Sequence, residues 1–158
     1  MDTTRAKVLE TGNRDIKAGR ILINAPARVV FELLANPYRH PDFDGSGTLR
    51  GDVTGPTRLY GGAKFGMNMQ IIVKYRILNS VVEFEENKLI AWRHFGHHRW
   101  RYELREVAPY QTEVTETFDG TYARLPLALR LMGAYKQNQI AILKTLVRLK
   151  KLAETTYA

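Results

Sequence analysis

The chain has 158 residues, a length that fits one domain with a hydrophobic core of its own. Its 24 lysines and arginines outnumber its 16 aspartates and glutamates, but the resulting charge of +8 is scattered, which is typical of a solvated surface rather than of a specific nucleic-acid site. Cysteine is absent, and this excludes disulfides, zinc fingers and thiol catalysis.

The N-terminal region is polar. Residues 1–16 are predicted to form a polar tail, and residues 17–154 are predicted to form a single domain. The tail contains no apolar segment of the kind found in signal peptides, and no apolar run in the chain reaches the length of a membrane span. We therefore expect a cytoplasmic protein with no transmembrane segment.

A strand and a short helix are the first predicted elements of the domain. Residues 18–26 (AGRILINAP) predict the strand, and the apolar spacing of PARVVFELLAN predicts the helix. Pro26 suits the first helical turn, because its missing N–H would be unpaired there in any case. Asn36 precedes a proline and so ends the helix. Residues 38–47 (YRHPDFDGSG) are predicted to form a loop with one short helical turn.

A run of strand patterns comes next. Residues 48–53 (TLRGDV) predict a short strand, and the alternation in residues 64–76 (KFGMNMQIIVKYR) predicts a half-buried antiparallel strand. The apolar face of this second strand carries Phe65, Met67, Met69, Ile71 and Val73. Further strands are predicted at residues 79–87, 88–95, 99–107 and 112–120.

The C-terminal region, residues 125–154, has the apolar periodicity of one long helix. Its apolar residues form two stripes, Leu129, Met132, Ile140, Leu143, Leu146 and Val147 in one and Leu131, Tyr135, Ile142 and Leu149 in the other. An arc this wide predicts a helix buried on more than one side. The predicted elements follow the order of a strand, a short helical region, about six strands and a long helix. This order predicts an α+β fold.

The stretch RHFGHHRWRYELR, residues 93–105, concentrates histidine and arginine and fits a hairpin that turns near His97. The predicted pairs are His94 with Trp100, Trp92 with Tyr102 and Ile90 with Leu104. A further turn around Pro109 pairs Leu104 with Val114, Tyr102 with Glu116 and Trp100 with Phe118. The period of two then separates the aromatic residues on an inner face from the arginines on a solvent face. Single-stranded nucleic-acid binding needs both on one face, so this pattern argues against it.

Three polar residues fall on the predicted inner face: His94, Tyr102 and Glu116. They are the candidates for acid–base catalysis. His94 is also consistent with a hydrogen-bonded core histidine, and Glu116 with a wet strand end or with pairing to a basic side chain, since a buried carboxylate is costly unless paired or neutral. The histidines lack the further ligands of a metal site, so no metal is expected.

The chain resembles the START-like, Bet v 1-like superfamily, whose bacterial branch is called SRPBCC or polyketide cyclase/dehydrase. The resemblance lies in residues 21–47 (ILINAPARVVFELLANPYRHPDFDGSG), in the strands ending in TEVTETFDGTY and in the long terminal helix. The resemblance implies a helix-grip fold, in which a curved seven-stranded antiparallel sheet wraps the C-terminal helix and two short helices follow strand 1. It also implies an apolar cavity between sheet and helix. Members bind lipids, sterols, polyketides or plant hormones, and some cyclise polyketides. They share no catalytic motif, so the fold alone does not assign a function.

Two functions follow as hypotheses. One is a module that binds a small hydrophobic ligand without a cofactor, and the other is a polyketide cyclase or dehydrase that acts on a ligand in the same cavity. A basic interaction protein is a third, supported by the charge alone, and a homodimer is left open. The residues predicted to line the cavity are Phe65, Met67, Met69, Ile71, Trp92, His94, Trp100, Tyr102, Leu104, Glu116, Phe118, Met132, Tyr135 and Leu143.

Overall fold

One antiparallel sheet and one long helix organise the protein in the computed structural model, which describes residues 5–49, 51–70 and 72–158. The strands are β1 (Lys7–Leu9), β2 (Ile16–Ile23), β3 (Lys64–Gln70), β4 (Lys74–Glu85), β5 (Leu89–Arg93), β6 (Arg99–Ala108) and β7 (Gln111–Asp119). The α-helices are α1 (Ala27–Ala35), α2 (His40–Phe43), α3 (Pro126–Leu131) and α4 (Ala134–Tyr157), and 3-10 turns cover Pro37–Arg39 and Gly120–Tyr122.

The sheet has the order β1-β2-β7-β6-β5-β4-β3, and its inner face packs against α4. Alternation builds this face: in β7 every second residue, from Thr112 to Phe118, is buried. Ile142, Leu146 and Leu149 of α4 are fully buried against it. The predicted α+β helix-grip fold is confirmed, with its short helices following the strand predicted as the first.

The short helix α1 begins and ends where its prolines predict. Its N-cap is Pro26, with a φ of −63°, and its C-cap is Asn36 in an extended conformation. The Asn36 side chain accepts a hydrogen bond from the backbone N–H of Tyr38, which begins the following 3-10 turn. The next segment, predicted as a loop with a helical turn, contains that turn and α2.

The predicted strand at residues 48–53 is wrong. Leu49 and Thr54 form only isolated bridges to β3. The positive φ angles of Gly51 (88°) and Asp52 (48°) interrupt the extended backbone. The seventh strand is instead β1, which lies in the segment predicted to be a polar tail and pairs with β2 from Lys7 opposite Arg20.

The strand predicted over residues 64–76 is two strands. β3 ends at Gln70 and β4 begins at Lys74, and between them the side chains of Ile72 and Val73 are 92% and 72% exposed. Val73 is therefore not on the inner face, which corrects the sequence prediction. Ile71 lies outside the described residues.

The hairpin from β5 to β6 has a different register from the predicted one. Trp92 lies opposite Trp100, and Ile90 lies opposite Tyr102. The reason is a five-residue connection, residues 94–98, in which His97 has a φ of 65°, so His94 leaves the ladder. Because the shift is by two residues, each side chain keeps its predicted face.

The predicted pairing of β6 with β7 is confirmed at all three positions. Trp100 lies opposite Phe118, Tyr102 opposite Glu116 and Leu104 opposite Val114. The turn pairs Ala108 with Gln111, and a β-bulge between Glu106 and Ala108 shifts the ladder by one residue to give this register. Tyr110 lies within that turn and has a φ of 65°.

The single C-terminal helix predicted at residues 125–154 is interrupted. α3 ends at Leu131 and α4 begins at Ala134, because Gly133 between them adopts a left-handed φ of 69°. None of the residues of α3 is buried, so this short helix adds little to the core. No helix among the residues that the structure describes is long and apolar enough to cross a bilayer.

Candidate functional site

A buried tyrosine–glutamate pair lies at the centre of the inner face. Tyr102 on β6 and Glu116 on β7 are direct partners in the ladder, and their side chains are only 4% and 2% exposed. The Tyr102 hydroxyl donates a hydrogen bond of 2.9 Å to Oε1 of Glu116. The confirmed register therefore brings together two of the three polar residues predicted on this face.

The second carboxyl oxygen of Glu116 is unsatisfied. Within the part of the chain that the structure describes, Oε2 is buried and has no hydrogen-bond partner. On its other side, Glu116 pairs with Gly19 of β2, and a Cβ at Gly19 would lie only 2.8 Å from Cγ2 of Ile142. α4 thus lies close against the sheet beside the pair. Buried polar atoms without a partner are rare in native proteins, so this oxygen calls for an explanation.

Electrostatics favours an uncharged Glu116. Burial raises the pKa of Glu116 well above its ordinary value, the Tyr102 hydrogen bond opposes this, and the negative charge of Asp44 adds to it. Burial likewise raises the pKa of Tyr102 well above its ordinary value, with the charge of Glu116 adding to the effect. A protonated carboxyl group is a hydrogen-bond donor as well as an acceptor, so Oε2 can carry a proton for donation.

Aromatic rings connect this pair to the helices. Trp92 on β5 lies 5.5 Å from Tyr102, measured between ring centroids. His40 at the start of α2 stacks on Trp92 at 4.7 Å, and Phe65 of β3 meets both rings edge-on. His40 is fixed in place because its Nε2–H donates a 2.8 Å hydrogen bond to the carbonyl of Leu34.

His40 is the buried histidine of this group, 3% exposed. Burial lowers the pKa of His40 to about 4, although the hydrogen bond to Leu34 opposes the shift. A neutral imidazole is therefore stable inside the protein at physiological pH. Together, His40, Phe65, Trp92, Tyr102 and Glu116 make a continuous inner group, which we call the central group.

His94, the third polar candidate, belongs to a different cluster near the β5–β6 connection. Its ring lies 4.5 Å from that of His98, which packs 5.1 Å from Phe118. Phe118 in turn contacts Tyr135 of α4 at 5.6 Å. Burial lowers the pKa of His98 to about 4, and the charge of His94 adds to this shift. His94 accepts a hydrogen bond at Nδ1 from the backbone of Gly96, so it acts locally in the turn.

Apart from Ile71, which lies outside the described residues, the residues predicted to line a cavity fall into three classes. Eight are buried on the inner side: Phe65, Met67, Trp92, Tyr102, Leu104, Glu116, Phe118 and Tyr135. Four are half-buried: Met69, His94, Trp100 and Leu143. Met132 is 65% exposed, because the helix break at Gly133 turns it away from the core.

Sequence reasoning missed several buried polar residues of the inner side, among them His40, Asn79 and Thr112. His40 was assigned to a loop, and Asn79 of β4, which is 2% exposed and lies opposite Phe65, was not singled out. The alternation of β4 contained the signal for Asn79, because Ile77 and Val81 flank it on the same face. His40 had no such periodic signal, since its position depends on how α2 packs over the sheet.

No metal site is visible in residues 5–49, 51–70 and 72–158, where no three His, Asp or Glu side chains are grouped to hold an ion. Two surface concavities, of about 380 and 480 Å³, lie away from the central group. The first is at the β1–β2 edge beside Gln139, and the second is at the start of α1 beside Leu104. Around Tyr102 and Glu116 the interior is occupied by packed side chains.

The chain is similar in sequence to proteins of Mycobacterium tuberculosis. It is 38% identical to the uncharacterized protein Rv0088 over 132 residues, which are 80% of this chain and 59% of that protein. A 37% identical match to the uncharacterized protein MT0096 has the same coverage. The chain therefore spans less than two thirds of the length of the curated relatives it matches. No protein-family model matches the chain.

Solved structures of low sequence identity share the fold. Protein Ms6760 of Mycobacterium smegmatis superposes with a TM-score of 0.64 at 15% identity, covering 95% of this chain and 98% of that one. The Polyketide_cyc-like protein Cgl2372 of Corynebacterium glutamicum superposes with a TM-score of 0.60 at 18% identity, covering 89% and 92%. The chain therefore shares with these structures the helix-grip fold that its sequence predicts.

Proposed function

We propose that the protein binds a small hydrophobic ligand, of the lipid, sterol or polyketide class, between the sheet and α4. The observation that carries the proposal is Oε2 of Glu116, which is buried on the inner face without a hydrogen-bond partner among the described residues. A protonated Oε2 can donate to a carbonyl or hydroxyl oxygen of a ligand. The ligand we propose is therefore largely apolar with one polar oxygen.

The surroundings of Glu116 support a ligand of this kind. Trp92 and Phe65 offer flat apolar surface, and Met67 and Met69 line the inner face of β3. Methionine side chains are flexible and polarisable, so they can rearrange around ligands of different shape. Sites for small molecules combine a mostly apolar lining with a few placed polar groups, and Glu116 with Tyr102 would be such groups.

Two measurements test the proposal on the full chain. Native mass spectrometry of gently purified protein should detect a co-purified small molecule. A thermal-shift panel of fatty acids, sterols and aromatic polyketides should contain at least one compound that raises the melting temperature, since a ligand at a hundredfold excess over its dissociation constant stabilises the native state by about 2.7 kcal/mol. Ligand binding would be refuted if mass spectrometry detected only the mass of the protein and no compound of the panel raised the melting temperature.

Substitution of Glu116 locates the ligand. Glu116→Leu removes both carboxyl oxygens, and we expect it to weaken binding of an oxygen-bearing compound by about tenfold or more, as for a lost buried hydrogen bond. Glu113→Leu is the matched control, because Glu113 lies on the outer face of the same strand beside Arg105. Equal losses in both variants would place the ligand elsewhere.

A polyketide cyclase or dehydrase is the second candidate function. The favouring observation is the Tyr102–Glu116 hydrogen bond, because a carboxyl group held uncharged at neutral pH can act as a general acid. A protein of the same fold bears the name Polyketide_cyc-like. Glu116→Gln keeps the shape and should lower turnover of an aromatic polyketide mimic by about a hundredfold. Conversion that survives this substitution would exclude Glu116 as the acid.

A further inference from the structure

Large apolar side chains project into solvent from one end of the sheet. They come from the β3–β4 turn (Ile72, Val73), from the β5–β6 connection (Phe95), and from α3 and its flanks (Leu125, Leu127, Leu131, Met132), and we call them the apolar tip. Their exposed fractions run from 63% for Leu127 to 92% for Ile72. Among the described residues, every large apolar side chain that is more than 60% exposed belongs to this set.

The topology puts these three segments at the same end. Neighbouring strands from β3 to β7 are all antiparallel, so β3, β5 and β7 run in the same direction, and the turn after β3, the connection after β5 and the segment after β7 leave the sheet at the same end. At this end of the sheet, β3 and β4 stay paired beyond the end of β5. Ser80 is the residue of β4 nearest this end that pairs with β5, and the β3–β4 ladder continues for six more residues of β4, to Lys74 opposite Gln70. At about 3.3 Å per residue, this hairpin projects roughly 20 Å further.

Specific contacts hold the leucines of α3 outward. Arg130 of α3 donates to both carboxyl oxygens of Asp15, at 2.9 and 2.6 Å, and so fixes the helix to the β1–β2 connection. The backbone N–H of Arg124 donates to the carbonyl of Gly96 at 3.0 Å, which ties the start of this segment to the connection that carries Phe95. A helix tied in this way, with none of its residues buried, displays its apolar side chains as a stable surface.

The tip is also strongly basic. The segments 72–76, 93–99 and 119–136 contain seven lysines and arginines, including Lys74, Arg93 and Lys136, and one acidic residue, Asp119. Two of the seven, Arg99 and Arg130, form ion pairs with Glu83 and Asp15, so the net charge of the tip with these two partners is +4, half of the +8 of the whole chain. Apolar side chains that project among basic ones fit the interface of an anionic bilayer, where the former enter the acyl boundary and the latter meet the headgroups.

We propose that the apolar tip docks on the surface of an anionic lipid membrane, without crossing it. Apolar side chains interspersed with lysine and arginine match the interfacial region of an anionic bilayer, whereas the cores of protein–protein interfaces are depleted of charged residues. A second copy of this chain is disfavoured, because two tips of the same positive charge would repel each other. Docking by the tip does not depend on whether the interior binds a ligand.

Co-sedimentation with vesicles tests the proposal. We expect the full chain to bind phosphatidylcholine vesicles that contain about one third phosphatidylglycerol, and to bind pure phosphatidylcholine or high-salt samples much more weakly. The double variant Leu127→Gln with Leu131→Gln should bind about tenfold more weakly or worse, at an unchanged melting temperature because neither side chain is buried. A triple change of Lys74, Arg93 and Lys136 to Gln should weaken binding to the anionic vesicles only.

The matched control changes exposed apolar residues at the opposite end of the sheet. Val107→Gln with Tyr110→Gln alters side chains that are 43% and 60% exposed and should leave vesicle binding unchanged. Absence of wild-type binding to anionic vesicles, or equal binding by the α3 variant, would overturn the proposal. A wild-type dimer in vesicle-free buffer that the α3 variant dissociates would overturn it too, and would assign the tip to a second copy.

Discussion

The Tyr102 hydroxyl is the hydrogen-bond partner of Glu116 inside the protein, 2.9 Å from its Oε1. Tyr102→Phe removes this donor and leaves the carboxyl group of Glu116 without the hydrogen bond from Tyr102. Because an unsatisfied buried polar group costs about 1–3 kcal/mol, we expect the free energy of unfolding to fall by that amount in a urea titration. Tyr110→Phe is the control, since Tyr110 is 60% exposed and should lose almost nothing. Equal stability of wild type and Tyr102→Phe would mean that the bond adds nothing.

Glu116 should make the protein less stable as the pH rises. Below a pH of about 4.5, the ordinary pKa of a glutamate, both folded and unfolded states hold the proton. Above that pH, Glu116 ionises in the unfolded state, while burial keeps its carboxyl group protonated in the folded state. The free energy of unfolding therefore falls by up to about 1.4 kcal/mol per pH unit, until the pH passes the pKa of Glu116 in the folded state.

Glu116→Gln does not titrate and should lack this loss. The measurement is the difference in unfolding free energy between the variant and the wild type at a series of pH values, because the histidines then cancel. We expect the difference to grow in favour of the variant from about pH 4.5 upward. A difference independent of pH would mean that the carboxyl is not shifted by burial.

His40 should have the opposite effect on the acid side. Burial lowers the pKa of His40 from 6.5 to about 4, so between these values the unfolded state binds a proton that the folded state does not. Stability is therefore lost as the pH falls from 6.5 towards 4, by about 3 kcal/mol in total. His40→Gln keeps an N–H donor for the carbonyl of Leu34 and should be less sensitive to acid.

The control for His40 is His97→Gln, which alters a histidine in the surface turn that accepts from Arg124. Burial and the charges of Arg124 and Arg93 lower the pKa of His97 too, but less than burial lowers that of His40, so we expect the acid unfolding profile to change less in His97→Gln than in His40→Gln. An NMR titration of the imidazole protons gives a direct check. A His40 signal that titrates near pH 6.5 in the folded protein would contradict the prediction.

Lys150 should stabilise the contact between the end of α4 and the end of β2. Its side chain is almost buried, and Nζ donates to the carbonyl of Leu22 at 2.7 Å and to Glu154, which also accepts from the backbone N–H of Asn24. Lys150→Met retains the apolar stem but not the donor, and we expect a loss of about 1–3 kcal/mol. Lys151→Met, one residue away on the exposed side, should change stability by less than about 0.5 kcal/mol.

The sequence predicted the sheet faces better than the strand ends. The pairing of β6 with β7 was predicted correctly because the turn between them is short, and the β-bulge between Glu106 and Ala108 aligns the inner-facing residues of both strands. The β5–β6 register was displaced by two residues, since alternation fixes the face of a side chain but does not distinguish shifts by an even number. The β3–β4 turn was missed because Ile72 and Val73 are apolar yet exposed, so the hydrophobic pattern continued through it.

Within the candidate site, the sequence predicted what alternation can reveal and missed what packing decides. Tyr102 and Glu116 followed from two adjacent strands. His40 reaches the central group through α2, which lies far from β5 in the chain, and no local pattern places its ring on Trp92. The helix break was missed because one glycine is tolerated within a helical pattern, and its left-handed φ appears only in the structure.

Gly19 sets the distance between helix and sheet next to Glu116. Because a single methyl group at this position would meet Ile142 at 2.8 Å, any larger residue would have to push α4 outward. The spacing of helix and sheet beside Glu116 is thus controlled from β2, by a position whose own side chain would point at the helix. Gly19→Ala would therefore test whether the proposed ligand depends on this spacing, since it alters the spacing without changing Tyr102 or Glu116.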